Sequence, residues 1–345
     1  MRVLVTGGAG FIGSSASKTF LAEGHQVGIL ENFSRPGSRA NLEWIRESGS
    51  PEVYEGTIVD SVTTRECIQD FKPDAIVHLA AQVAVTLSVD DPRHDFETNA
   101  VGTFNLLEAT RIAAPSARFI FASTNKVYGD LEYIPLSDLG TRYEFQGDRQ
   151  GINETTALDF HSPYGCSKGA ADAYVTDYSR IYGLRTTVFR QSCIYGSRQF
   201  GIEDQGWIAW FIIAALTGRD IKVFGDGKQV RDALHVDDLV RLYGIALNKA
   251  DWEPGQVFNV GGGPSNTLSV LELLHEISAR VGRQIPFDFF ETRQGDQKIF
   301  VSDNSKALTA LGWEPQVSLT QGLDQLFDWI QDNLDIIRQT LVTAK

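Results

Sequence analysis

Short apolar runs recur through the first half of the chain at residues 2–6, 26–30, 53–56, 75–80, 118–123 and 186–190, alternating with helical patterns. The segments between them, notably 11–23, 96–113 and 163–182, carry apolar residues at helical spacing and are long enough to be crossover helices. This alternation predicts an α/β fold, a doubly wound Rossmann-type parallel sheet of six strands with helices on both faces. From about Cys193 the texture changes to short strands, glycine-rich turns such as Phe224-Gly-Asp-Gly and scattered helices, which predicts a smaller mixed α/β lobe. Domain boundaries follow as 1–190 for the first domain, which also receives parts of 236–263, and mainly 191–345 for the second lobe. Ser269-Val-Leu-Glu272 has the form of a capping box opening a helix over 270–280, and 319–334 reads as a last amphipathic helix.

Composition narrows the function. With 31 basic and 44 acidic residues the net charge is -13, which argues against nucleic acid or an anionic membrane as the main partner. Cys67, Cys166 and Cys193 are odd in number and lack paired spacing, so neither a disulfide framework nor a metal site is expected. No apolar run approaches the ~20 residues of a membrane span, and the first residues are too short an apolar stretch for a signal peptide. A soluble, cytoplasmic protein is expected.

Gly7-Gly-Ala-Gly10-Phe11-Ile12-Gly13 follows the first strand and opens the first helix. That placement is the dinucleotide fingerprint: the first glycine permits the tight turn, the second lets main chain approach a pyrophosphate, the third lets helix pack on strand. The N–H groups at the helix start then face the phosphates. Glu31, with Asn32 beside it, ends the second strand, where a carboxylate accepts from ribose hydroxyls and favours NAD; Arg35 and Arg39 nearby are the residues that would greet a 2′-phosphate.

Tyr164 and Lys168 lie four residues apart, which on a helix stacks a phenol beside an ammonium. A fixed cation favours the phenolate and brings a tyrosine toward the range useful for a general base. The same spacing is common on amphipathic helices, so it acquires meaning only from its surroundings.

Those surroundings are Leu79-Ala80-Ala81, Asn99-Ala-Val-Gly-Thr, Ser123-Thr124-Asn125-Lys126-Val-Tyr-Gly129, Gln229-Val-Arg231-Asp-Ala-Leu-His-Val-Asp237 and Arg293-Gln-Gly-Asp296. With the glycine loop and the Tyr-x-x-x-Lys unit, in this order, the chain resembles the extended short-chain dehydrogenase/reductases that act on nucleotide sugars. The resemblance implies Tyr164 as acid/base, Lys168 as its tuner and a nicotinamide-ribose ligand, and Thr124 as the hydroxyl that orients the substrate oxygen. It implies NAD contacts at Gly7, Gly10, Phe11, Ile12, Gly13, Glu31, Asn32, Asp60, Ala80, Ala81, Gln82 and Asn99. For the substrate it implies Thr124, Asn125, Lys126, Cys193, Gln205, Arg231 and Arg293, the two arginines lying near the nucleotide diphosphate. Guanidinium suits those oxygens because it binds them with two hydrogen bonds. A homodimer or homotetramer, paired through the helices after Asp91 and Pro163, is also implied.

Asn125 and Lys126 bear on the reaction. Related dehydratases carry Asp-Glu at these places, as the resemblance has it; here neither is a carboxylate. A site of this kind suits oxidation of a carbinol and its reduction again, hence epimerisation. The finer likeness, around 123–130, 159–172 and 196–207, points to C2 of a CDP-hexose through a transient 2-keto sugar. A UDP-hexose 4-epimerase-like enzyme uses the same Thr124, Tyr164 and Lys168, and a non-catalytic NAD-sensing protein is the remote alternative.

Overall fold

A computed structural model describes residues 1–249, 254–293 and 295–343. Its main sheet is built from β1 (Arg2–Thr6), β2 (Gln26–Glu31), β3 (Glu52–Glu55), β4 (Ala75–His78), β5 (Arg118–Thr124) and the strands Arg185–Gln191 and Gln256–Val260. The sheet thus has seven strands, one more than the six expected. The order is Gln256–Val260, Arg185–Gln191, β5, β4, β1, β2, β3. β1 pairs in parallel with β2 and β4, β2 with β3, and β4 with β5. Val3, Leu4 and Val5 are all fully buried, as a central parallel strand covered on both faces requires. Strand order reverses between β1 and β4, and the loops after these two strands meet there: the main chain of Ala80 lies against Gly7.

Two expected elements differ. β4 ends at His78 rather than residue 80, because Thr6 Oγ1 bonds both His78 Nδ1 at 2.7 Å and the N–H of Ala80 at 3.2 Å, drawing the chain off the sheet. The helix expected over 96–113 is instead a short helix Pro92–Phe96, a widened π turn Glu97–Val101 and a helix Gly102–Ala113. Gly102 touches Ile58 so closely that a Cβ there would lie 2.6 Å from its side chain, so the wide turn is followed by a tight docking.

The chain forms two compact units: Met1–Thr124, Pro163–Arg190 and Leu239–Phe258 in the first, and Asn125–Ser162, Gln191–Asp238 and Asn259–Lys345 in the second. The boundary expected at residue 190 therefore fails for 125–162, which belongs to the second unit. Val127, Tyr128, Leu131, Ile134 and Ile152 share a small core with Phe300, and Ile152 bonds the main chain of Val301 and Asp303. In the second unit Val230–His235 pairs in parallel with Cys193–Tyr195 and Ile299–Phe300, and antiparallel with Thr267–Ser269. The helix Trp207–Thr217 is buried nearly all round, packed among Leu273, Leu274, Leu326 and Ile330. Ser269 and Glu272 form the expected capping box at the start of Val270–Val281, and Ser318 and Gln321 form a second at Leu319–Asp332.

Candidate active site

In the first unit the glycine loop is wound as its composition demands. Gly7 has φ +66°, a conformation costly for any side chain, and a Cβ at Gly13 would lie 2.1 Å from the oxygen of Gly7. The helix Phe11–Ala22 begins at Gly10 without a side-chain cap and without an acidic residue in its first turn. Its leading N–H groups are those a pyrophosphate takes up, so the residues present fit a dinucleotide. Glu31 is buried at the end of β2 and accepts from the N–H groups of Ala9 at 3.2 Å and of Asn32 and Phe33 at 3.1 Å each. The N–H of Gly10 adds a fourth donor to the same carboxylate. Burial pushes the Glu31 carboxyl up, against the pull of those N–H groups. Asp60 caps the helix Ser61–Phe71, accepting from the N–H of Val62 at 2.9 Å and the hydroxyl of Thr63 at 2.6 Å.

Tyr164, Lys168 and Asp172 stand one turn apart on the buried face of the helix Ser162–Tyr182, with Gly165, Gly169 and Ala171 letting it pack closely. Tyr164 is hydrogen-bonded to the hydroxyl of Thr124 at the end of β5, so the two side chains expected to share the chemistry meet. Burial raises Tyr164 to about 12; the Thr124 bond acts in the opposite direction, and Asp95 adds to the rise. Lys168, 3% exposed, donates to the oxygen of Ala122 at 2.7 Å and lies 4.1 Å from the centre of the Phe121 ring. Burial lowers it to about 7, opposed by Asp172 and Asp95. The simple expectation of a cation pulling the phenol down is therefore not what dominates here: desolvation outweighs it on both groups.

Two buried groups went unnoticed in the sequence. Asp172 accepts from Arg190 Nε and Nη2 at 2.9 Å each, a bidentate pair, and from Ser123 at 2.7 Å, locking the helix to β5 and its neighbour. Asp95, fully buried, accepts from Ser167, Gln82 and Asn99. Asn99 and Gln82, both expected near the cofactor, are joined by two reciprocal 2.9 Å bonds. Asp95 lies just before the helix expected from residue 96, and its bond to Asn99 runs from the short helix Pro92–Phe96 into the π turn, which the spacing did not reveal.

In the second unit two of the residues expected to contact substrate, Arg231 and Lys126, meet at an acidic centre. Arg231 donates to Asp296 at 2.6 Å, and Lys126 lies 3.7 Å from the same carboxylate while donating to the oxygen of Gly295 at 3.0 Å. Burial, then Arg231, lowers Lys126 to about 8. Burial works to raise Asp296, but Arg231, Lys126 and Arg293 hold it below the usual carboxylate range. Asn125 donates to Gln297 at 3.1 Å. Elsewhere in the unit Arg293 stacks 3.8 Å from the Phe224 ring centre and bonds Asp204 at 2.8 Å. Gln205 exchanges main-chain hydrogen bonds with Ile202, and the indole of Trp207 donates to Cys193 Sγ at 3.2 Å. Burial pushes the Cys193 thiol up to about 12.

A Rossmann-type sheet with this glycine loop and a Thr-Tyr-Lys set defines an extended short-chain dehydrogenase/reductase, and the chain belongs to the GDP-mannose 4,6 dehydratase family, which it matches over residues 4–326. It is 43% identical to the CDP-paratose 2-epimerase of Salmonella typhi, over 95% of this chain and 99% of that one. It is 36% identical to the UDP-glucose 4-epimerase of Mycolicibacterium smegmatis, over 96% and 99%. Among solved structures, UDP-glucuronic acid 4-epimerase from Bacillus cereus, in complex with UDP-glucuronic acid and NAD, superposes with a TM-score of 0.83 at 27% identity, covering 96% of this chain and 99% of that one.

Proposed function

We propose that this protein is an NAD-dependent epimerase that inverts C2 of a CDP-hexose through a transient 2-keto sugar. The observation that carries the reaction class is the Thr124–Tyr164 hydrogen bond in a buried site; the resemblance, which puts Asp-Glu of related dehydratases at the places of Asn125 and Lys126, supports epimerisation over elimination. The kinship to CDP-paratose 2-epimerase supports C2 and the cytidine nucleotide.

Gly7, Gly10 and Gly13, the N–H groups of Phe11 and Ile12, and Glu31 hold the NAD, with Asn32, Ala80, Ala81, Gln82 and Asn99 around it. When bound, NAD would supply the hydride acceptor and donor for C2. Tyr164 takes the proton of the C2 hydroxyl and gives it back, and Thr124 orients that oxygen. Lys168 supplies the positive field that the phenolate requires at that moment. Arg231 and Arg293 take the diphosphate, with Lys126 sharing the charge of Asp296. Because hydride leaves and returns to one carbon, the cycle is redox neutral.

The UDP-glucose 4-epimerase kinship supports a second reading, inversion at C4 of a UDP-hexose by the same residues. Incubation of the purified protein with CDP- and UDP-hexoses, followed by proton NMR of the ring carbons, separates the two: change at C2 of the CDP-sugar supports the first, change at C4 of the UDP-sugar the second.

Pairing of two copies is part of the same reading. The helices Gly102–Ala113 and Ser162–Tyr182 expose Phe104, Ile112, Tyr174 and Ile181, with the rings of Phe104 and Tyr174 in edge contact at 5.9 Å. Such a patch on adjacent helices supports a homodimer. Among the described residues no helix is long and apolar enough to cross a membrane.

A further inference from the structure

We propose that Asp95 is a positioning residue of the site, whose buried negative charge, clamped by Ser167, Asn99 and Gln82, both fixes the turn carrying Tyr164 and Lys168 and governs when that pair exchanges a proton. The inference rests on the reading of Tyr164 as the acid/base.

The geometry is that of a hub. Asp95 Oδ2 accepts from the Ser167 hydroxyl at 2.5 Å, and Oδ1 accepts from Gln82 Nε2 and Asn99 Nδ2 at 3.0 Å each. Ser167 is the residue before Lys168, and its hydroxyl also lies 3.2 Å from the oxygen of Tyr164 and from Asn99 Nδ2 at 3.1 Å. One side chain thus ties the turn between Tyr164 and Lys168 to the loop after β4 and to the π turn bearing Asn99. A widened turn places Asn99 where it bonds Gln82, Asp95 and Ser167 at once, which a regular helix start would not require.

The charge is what a purely structural hub would not need. Its three side-chain donors are neutral, whereas the other carboxylate near Lys168, Asp172, is matched by Arg190. A buried carboxylate held only by neutral donors is costly, and the cost falls when a nearby cation shares its field. The charged and titratable groups that face it are Lys168 and Tyr164 from the long helix and His94 beside it on its own. His78 from β4 lies toward Lys168 and is held neutral, lowered to about 3 chiefly by burial. Burial is the largest influence on both groups; Asp95 adds to it at Tyr164 by opposing the phenolate and works against it at Lys168 by favouring the ammonium.

The test is a titration of the Tyr164 phenolate by ultraviolet difference absorbance, taken against Tyr164→Phe, in the parent, Asp95→Asn and Asp95→Glu proteins, with melting curves to certify folding. Asp95→Asn keeps the shape and removes the charge, and its midpoint should move acidward, since the carboxylate that opposes the phenolate is gone. Asp95→Glu keeps the charge and should keep the parent midpoint. An unmoved midpoint in a folded Asp95→Asn protein, or a displaced one in Asp95→Glu, overturns the proposal. The titration needs no turnover, so loss of the epimerase reading, shown by near-normal activity of Tyr164→Phe, is a separate result.

Discussion

Lys168 gives its hydrogen bond to the main-chain oxygen of Ala122, two residues before Thr124, at 2.7 Å. The ammonium is thereby tied to the strand that carries the substrate-orienting hydroxyl rather than to the phenol one turn away. Helix and strand are joined again at Ser123, Asp172 and Arg190, so Thr124, Tyr164 and Lys168 hold their mutual geometry through buried polar contacts. Such preorganisation is what a proton transfer at a fixed oxygen requires.

Removing the phenol hydroxyl leaves that scaffold in place. Tyr164→Phe should lower kcat by about 10²–10⁴-fold, the usual worth of a general acid/base, with little change in melting temperature. Steady-state turnover beside a thermal melt checks this; near-normal turnover removes Tyr164 from the role.

Lys168 makes stability depend on pH with a definite sign. Its folded-state value lies at about 7 against 10.5 for a free amine, so between those limits the unfolded chain binds more protons and stability rises with pH. Below about 7 both states carry the proton and the buried charge is at its most unfavourable. Lys168→Met abolishes this term. Its melting temperature relative to the parent should be highest near pH 6 and decline toward pH 9; a difference independent of pH contradicts the assignment.

Arg231 is expected to act on binding rather than on chemistry. Arg231→Ala should raise KM for the nucleotide sugar by about 10–100-fold while kcat stays within a few-fold, as for loss of a charged hydrogen bond formed equally in ground and transition states. An equal fall in kcat would place Arg231 in the reacting centre instead.

The exposed aromatic patch predicts assembly. Phe104→Asp together with Tyr174→Asp should convert a dimer to monomers by light scattering, with the fold intact by circular dichroism. A parent protein that is already monomeric would contradict the interface.

How much of this was legible in sequence follows from the range of each interaction. The glycine loop and the Tyr164–Lys168 spacing are local patterns, set by one turn or one helix face, and the turn and the helix form where they predict. The Asp172–Arg190 bond spans 18 residues, Ser167–Asp95 spans 72 and Asn125–Gln297 spans 172, so no periodicity reveals them. The segment 125–162 belongs to the second unit because its few apolar residues pack against Phe300, far along the chain, a contact no local pattern reports. The opposing shifts of Tyr164 and Lys168 come from burial, which spacing cannot report.

Label retention tests the central claim most directly. A CDP-hexose carrying deuterium at C2 is turned over in ordinary water, and the product is read by NMR and mass spectrometry. The account predicts inverted C2 with the deuterium kept. Deuterium lost to solvent, or inversion at another carbon, contradicts it.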